Sequence, residues 1–259
     1  MDPAPAGGVV IAAVRTDGSP RQAAVRRDIG LWEWLFDLDT WTGPNGILAS
    51  LWDTVVLCTA VTVVATAVAV PSAAILAHLR RGEVSSTWAV SISRAIPTFA
   101  IAALLLPWSL RNGWGFEPWP IFIALLLLAL VPIYLTTYTA IREVPPGAVD
   151  AARALGYRER SILARVELAL AATVVIAGVR VAAIQVVATE PIRAFLGGDG
   201  LGRYVRDGFG QNNTTLVVGG VILIGGLAAL TALTFVLLER LVLPHGVRRL
   251  ARQRGETSS

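Results

Sequence analysis

Five stretches of this chain are too long, too apolar and too poor in charge for the surface of a water-soluble protein. A membrane crossing needs about 20 apolar residues, at a rise of about 1.5 Å each, to cover a hydrocarbon core of roughly 30 Å. Runs of that length lie at about 52–79, 85–110, 118–141, 168–189 and 214–238. The third and fifth carry no charge. The first carries no acid or arginine from Thr54 onward, the second is interrupted only by Arg94, and the fourth holds Arg180. None has the charged back face of a soluble amphipathic helix. The expected fold class is therefore an all-α integral membrane protein with five transmembrane helices. Charged residues make up only 15% and the mean hydropathy is +0.63. A soluble chain carries about 25% charged residues. The same figures exclude a disordered chain, a collagen and a disulfide scaffold.

All 22 basic residues are arginine. Without lysine there is no Schiff base and no P-loop of the G-x-x-x-x-G-K-[ST] type. Any ATP used must be bound by another chain. The arginines do not cluster with aromatic residues, so no nucleic-acid partner is expected. Cys58 lies in an apolar run and reads as a small buried hydrophobe. His78 and His245 are far apart in sequence with no second ligand near either, so no metal site is expected.

The arginines set an orientation. Arg80 and Arg81 follow span one, Arg142, Arg153, Arg158, Arg160 and Arg165 lie between spans three and four, and Arg240, Arg248, Arg249, Arg252 and Arg254 end the chain. Five crossings put these on one side, against fewer arginines on the other. The expectation is an outer N-terminus and a cytoplasmic C-terminus in the cell inner or plasma membrane. Gly7 to Val14 is too short an apolar run for a cleavable signal, and Asp2 precedes it. Trp52, Trp88, Trp108, Trp114 and Trp119 fall near span ends, where interfaces favour tryptophan. Residues 29–36, with Trp32 and Trp34, read as a helix lying on the outer membrane face.

The loop between spans three and four is the most informative segment. It runs Val144-Pro145-Pro146-Gly147-Ala148-Val149-Asp150-Ala151-Ala152-Arg153-Ala154-Leu155-Gly156-Tyr157. Pro146 can open a helix at no hydrogen-bond cost. Gly156 suits the left-handed cap that ends one. The small face of Ala148, Ala151, Ala152 and Leu155 needs a partner surface. A second short helical run, about 159–167, leads into span four.

Asp150-Ala151-Ala152, then Gly156, Val166 and Leu168, resembles the EAA loop of ABC importer permeases. Asp150 stands where glutamate is usual, Val166 where isoleucine is common and Ala169 where proline is common. The last departure implies a helix that enters span four without a break. The resemblance covers roughly residues 47–243. Ala95-Ile96-Pro97-Thr98, Ala177-Gly178-Val179-Arg180 and Leu196-Gly197-Gly198-Asp199-Gly200-Leu201-Gly202 are similar to the osmoprotectant branch, whose members carry glycine betaine, choline, carnitine or related amines. Methionine-type permeases share the five-span plan.

The resemblance implies a type I importer permease of methionine-permease-like plan. Residues 1–46 would be a tail with an interfacial helix, 47–243 the permease domain and 244–259 a basic cytoplasmic tail. The loop would dock on an ATPase subunit through Asp150, Ala151, Ala152, Leu155, Gly156, Arg153 and Arg158. ATP and Mg would be held by that subunit, with no cofactor on this chain. Further expected partners are an extracytoplasmic solute-binding protein, a second permease chain, identical or paralogous, and the lipid bilayer. Gly197, Gly198, Gly200 and Gly202 would shape an outer gate loop, although Glu190, Pro191, Arg193 and Asp199 replace small neutral residues common there.

Pro97, Thr98, Arg180 and Glu190 are the candidates for the translocation path or a helix interface. A charge at mid-membrane costs about 2.5–3.5 kcal/mol on insertion scales, so Arg180 should face a partner or a wet cavity. Glu190 is one possible partner and substrate is another. Arg94, nearer a span end, should snorkel. Pro71, Pro97 and Pro132 fall inside spans and kink or shape them. Gly178, Gly219, Gly220, Gly225 and Gly226 should allow close helix approach. No span offers a Ser–His pair, paired carboxylates or a metal cluster, so a membrane-embedded enzyme is disfavoured. A permease for another solute, such as methionine, and an ATPase-independent channel or scaffold remain the alternatives.

Overall fold

The computed structural model describes residues 30–43, 46–81, 97–116 and 118–242. Their regular structure is helical throughout. Two short helices, α1 (Leu31–Phe36) and α2 (Leu38–Trp41), precede the long α3 (Ile47–His78). Then come α4 (Thr98–Arg111), α5 (Trp119–Arg142) and the loop helix α6 (Pro146–Ala154). A short α7 (Glu159–Ile162) runs through a π-helical turn, Leu163–Glu167, into α8 (Leu168–Thr189). The chain closes with α9 (Ile192–Phe195), α10 (Gly202–Gln211) and α11 (Thr214–Val242).

Four described stretches are long and apolar enough to cross a membrane: Ile47–His78, Trp119–Arg142, Glu159–Phe195 and Thr214–Arg240. These are four of the five expected spans. The second is described only as α4, whose 14 residues reach about 21 Å at helical rise and fall short of a crossing. Pro97 caps that helix in an extended conformation instead of kinking its interior. The expectations for Trp88, Arg94, Ala95, Ile96, the arginines before residue 30 and the 244–259 tail lie outside the described residues.

The core forms where α3, α5 and α8 meet. There Ala65, Ala69, Ala124, Ala129 and Ala182 let the helices approach, and Leu57, Ile121, Leu125, Ile133 and Val186 fill the space between them. Lipid tails are as apolar as leucine, so burial from water does not drive these helices together. Close backbone approach and dispersion do. Gly178 shows this directly, because a Cβ there would collide with Thr136 of α5. Pro71 and Pro132 stay inside continuous helices. The absence of proline at residue 169 leaves 159–189 helical without a break, and the π turn is the local irregularity.

Two expectations change. The α1 helix does not simply lie on a membrane face. Trp32 and Phe36 stack outward, but Trp34 is buried against the edge of Tyr204 at 5.5 Å and over Gly219. Gly219 and Gly220 do allow close approach, to Trp34 and to Val205 and Tyr204, whereas Gly225 and Gly226 face no other atom within 4 Å.

Candidate functional site

Two polar constellations sit at opposite ends of α3. One surrounds His78, the other Thr54. The 24 helical steps from Thr54 to His78 span about 36 Å.

At the His78 end, Pro146 occupies the first turn of α6 and Pro145 stands at its N-cap. The helix ends as a Schellman motif. Tyr157 N–H donates to Ala152 O at 3.1 Å, Gly156 N–H donates to Arg153 O at 2.9 Å, and Gly156 has φ +81°. A Cβ at Gly156 would meet nothing within 4 Å, so the left-handed backbone alone calls for glycine.

The face expected to seek a partner is split. Val149 and Ala152 turn inward onto Ile162, flanked by Val144 and Val166. Ala152 therefore anchors the helix and is not part of an open docking face. Asp150, Ala151, Arg153, Gly156 and Arg158 are exposed, as are Leu155 at 78% and Tyr157 at 46%. Leu155 and Tyr157 thus form an exposed tip at the end of a helix pinned from beneath.

Charges brace the loop. Arg153 Nε lies 2.8 Å from Glu159 Oε1 and its Nη2 lies 3.2 Å from Oε2, a two-pronged pair. Asp150 Oδ1 is 3.4 Å from Arg153 Nη1. The hydrogen bonds to Glu159 push the Arg153 guanidinium above its ordinary range. Glu159 and Glu167 both meet His78, a convergence that the sequence did not reveal, since Glu167 is 89 residues away.

At the Thr54 end, the glycine-rich stretch is packed tightly. Glu190, fully buried, pairs with buried Arg193 at 2.9 Å. Thr54 Oγ1 accepts from Leu201 N–H at 3.0 Å. Gly200 has φ +91°, and a Cβ there would strike Arg193, Glu190 and Thr54 at once. Gly202 leaves no room before Pro191, and Gly197 rests against the Phe116 ring. Arg206 donates to Ala194 O at 3.0 Å and Gly198 O at 3.3 Å. Of the expected gate glycines, Gly200 thus closes directly on the buried ion pair.

Glu190 is not the partner of Arg180. Arg180 Nη1 lies 3.7 Å from Glu239 Oε2, joining α8 to α11. Pro97 is exposed and Thr98 half-buried at the start of α4. Between these ends, α3, α8 and α11 border a cavity of about 320 Å³ with Thr59, Thr62, Thr231, Thr234 and Phe235 in its wall. Thr62, Thr231 and Thr234 donate to carbonyls of their own helices at 2.8 Å. Its lining residues carry no formal charge. The sequence reading missed this wall because threonines spaced along apolar spans carry no motif.

Residues 65–245 match the family described as binding-protein-dependent transport system inner membrane component. The choline transport system permease protein OpuBB of Bacillus subtilis (strain 168) is 30% identical over 183 residues, covering 71% of this chain and 82% of that protein. The carnitine transport permease protein OpuCB of Listeria monocytogenes is 27% identical over 212 residues, covering 82% and 94%. Among solved structures, an inward-facing MetNI methionine ABC transporter chain superposes with a TM-score of 0.66 at 19% identity, covering 76% of this chain and 96% of that one. At that identity the likeness concerns the fold.

Proposed function

The chain belongs to the binding-protein-dependent inner membrane transport components, and from that premise we propose that it forms the path of an osmoprotectant importer and couples it to a separate ATPase. The single observation that carries the coupling reading is Leu155. It stands exposed on a helix fixed from beneath by Val149, Ala152 and Ile162. Such a helix transmits a push instead of absorbing it. ATP and Mg would sit on the partner, and closure of that partner would bias the permease between outward-open and inward-open packings.

In this reading the arginine-rich end, with α6, is cytoplasmic, and the buried Glu190–Arg193 pair lies at the outer end. The solute-binding protein would dock there, and a second permease chain, identical or paralogous, would complete the path. Choline and carnitine, named for two relatives, point to quaternary-amine solutes for this chain. The cavity wall, in which Val55, Val63, Val187, Leu227 and Leu230 stand beside four threonines and Phe235, carries no formal charge and so presents no fixed cation to repel such a solute.

The test is a mild-detergent pull-down of the tagged chain from native membranes, followed by competition transport with the co-purified binding protein. Co-purification of a P-loop ATPase and competition by choline or carnitine are expected. A chain recovered alone, under conditions that preserve other transporters, would overturn the importer reading. Competition by methionine alone would overturn the substrate class.

A further inference from the structure

We propose that His78 is a positioning residue of the coupling machinery, and that the proton on its imidazole decides whether α3 is tied to the loop helix. The inference rests on the importer reading above.

His78 is the last residue of α3. Its Nδ1 lies 2.6 Å from Glu167 Oε2 on the π turn, and its Nε2 lies 3.1 Å from Glu159 Oε2. The His78 and Glu167 side chains are about nine-tenths buried, while Glu159 is half exposed. Glu159 in turn holds Arg153 of α6 through both oxygens. One imidazole therefore joins three elements: α3 itself, the entry to α8, and the loop helix through Glu159 and Arg153.

Neutral imidazole has one N–H and one lone pair. Placed between two carboxylate oxygens, it can donate to one and must turn its lone pair toward the other. Only imidazolium, with an N–H at each nitrogen, satisfies both. The protonated ring thus closes both links, and loss of the proton opens one.

Further charged groups face the ring on both sides. Arg80, Arg142, Arg153 and Asp150 line a polar cavity of about 110 Å³ on one side of it. Arg153, Glu159 and Arg160 line the groove on the other. The arginines keep their charge at all working pH values. Glu167 also sits on the π turn, an irregularity that recurs at functional positions in helices. A tie there can pass movement of α6 into α3 and α8 together.

The experiment has two readouts. In a His245→Gln background His78 is the sole histidine, so 15N-histidine NMR of the full chain in nanodiscs reads its protonation without a partner. ATP hydrolysis by the complete permease–ATPase complex is then followed across the pH range in which that spectrum shows the ring losing a proton. The expected result is a doubly protonated ring at the acid end. Hydrolysis in the parent complex should fall by about fivefold or more toward the alkaline end, the low end of measured coupling effects. His78→Gln and Glu167→Gln should flatten that step, and His78→Arg, a permanent cation, should hold the rate up at the alkaline end. If His78→Gln fails to insert, Glu159→Gln and Glu167→Gln test the same links with the histidine in place. A singly protonated ring throughout, or parallel pH profiles in the parent and the variants, would overturn the proposal. A doubly protonated ring in a chain that recruits no ATPase would overturn the importer reading and with it the coupling role. The NMR titration keeps that failure separate from a failure of the His78 link itself.

Discussion

Thr54 and Leu201 are 147 residues apart in sequence, yet the Leu201 N–H donates to Thr54 Oγ1 at 3.0 Å in a buried setting. The start of α3 therefore carries the loop that follows α8. His78, at the other end of the same helix, meets Glu167 at the entry to α8. The pair α3 and α8 is thus fastened at both ends, and a movement imposed at one end has a rigid element along which to travel.

Gly200 and Gly156 both have left-handed backbones, with φ of +91° and +81°. An alanine in that region costs about 1–2 kcal/mol. Gly156→Ala should pay only that, because a Cβ there meets open space. Gly200→Ala should add an overpacking cost of about 1–3 kcal/mol, since its Cβ would press on Thr54 Oγ1 at 2.8 Å and on the Glu190–Arg193 pair. Thermal unfolding of the detergent-solubilised chain should rank the parent above Gly156→Ala, and that above Gly200→Ala. Equal midpoints for the two variants would contradict the packing around Gly200.

The Glu190–Arg193 pair is buried on both sides, with 0% and 6% of the two side chains exposed. Removing one partner of a buried pair costs about 3–5 kcal/mol, because the other charge stays behind, whereas replacing both with apolar groups is often neutral. Glu190→Leu and Arg193→Leu should each unfold at much lower temperature than the double variant. A double variant as unstable as the sum of the singles would show that the two residues act separately.

Much of the fold was legible because a membrane crossing is announced by length and apolarity alone. The loop helix was legible from Pro146 and Gly156, whose backbones restrict what they can begin and end. Partners across the bundle were not. In a membrane the lipid-facing and protein-facing sides of a helix are both apolar, so periodicity does not reveal which side meets which neighbour. Glu190, ten residues further on, was therefore only one possible partner for Arg180 beside substrate, and the carboxylate that meets it is Glu239 on α11. Trp34 read as interfacial because nothing in the sequence marks Gly219 as its seat. Ala152 and Leu155 looked alike as small or apolar loop residues, and only the position of Ile162 separates an anchor from an exposed tip.

Arg180 and Glu239 approach to 3.7 Å with about a third of each side chain exposed. A pair of this kind contributes about 0–1 kcal/mol. The pair joins α8 to α11 and gives Arg180 a carboxylate partner within the bundle. The double variant Arg180→Gln with Glu239→Gln should then insert and transport with an unchanged KM for substrate. A double-mutant cycle on thermal stability should give a coupling below about 1 kcal/mol. A large rise in KM confined to the Arg180 variants would instead assign the guanidinium to the path.

The docking surface makes the sharpest separation between stability and function. Leu155 is 78% exposed, so Leu155→Ser should change stability by no more than about 0.5 kcal/mol. If Leu155 is a central contact for the ATPase, its truncation should cost about 2 kcal/mol of binding, or roughly 30-fold in affinity. Ala152→Leu should do the reverse at first order. It overpacks the buried contact with Ile162 and lowers the unfolding midpoint, and it weakens capture only by displacing the helix. Measuring ATPase capture and unfolding midpoint on the same preparations distinguishes the two. A Leu155→Ser chain that captures the ATPase as well as its parent would move the docking surface away from this end of α6, because no other apolar side chain of that segment stands so far out of the fold.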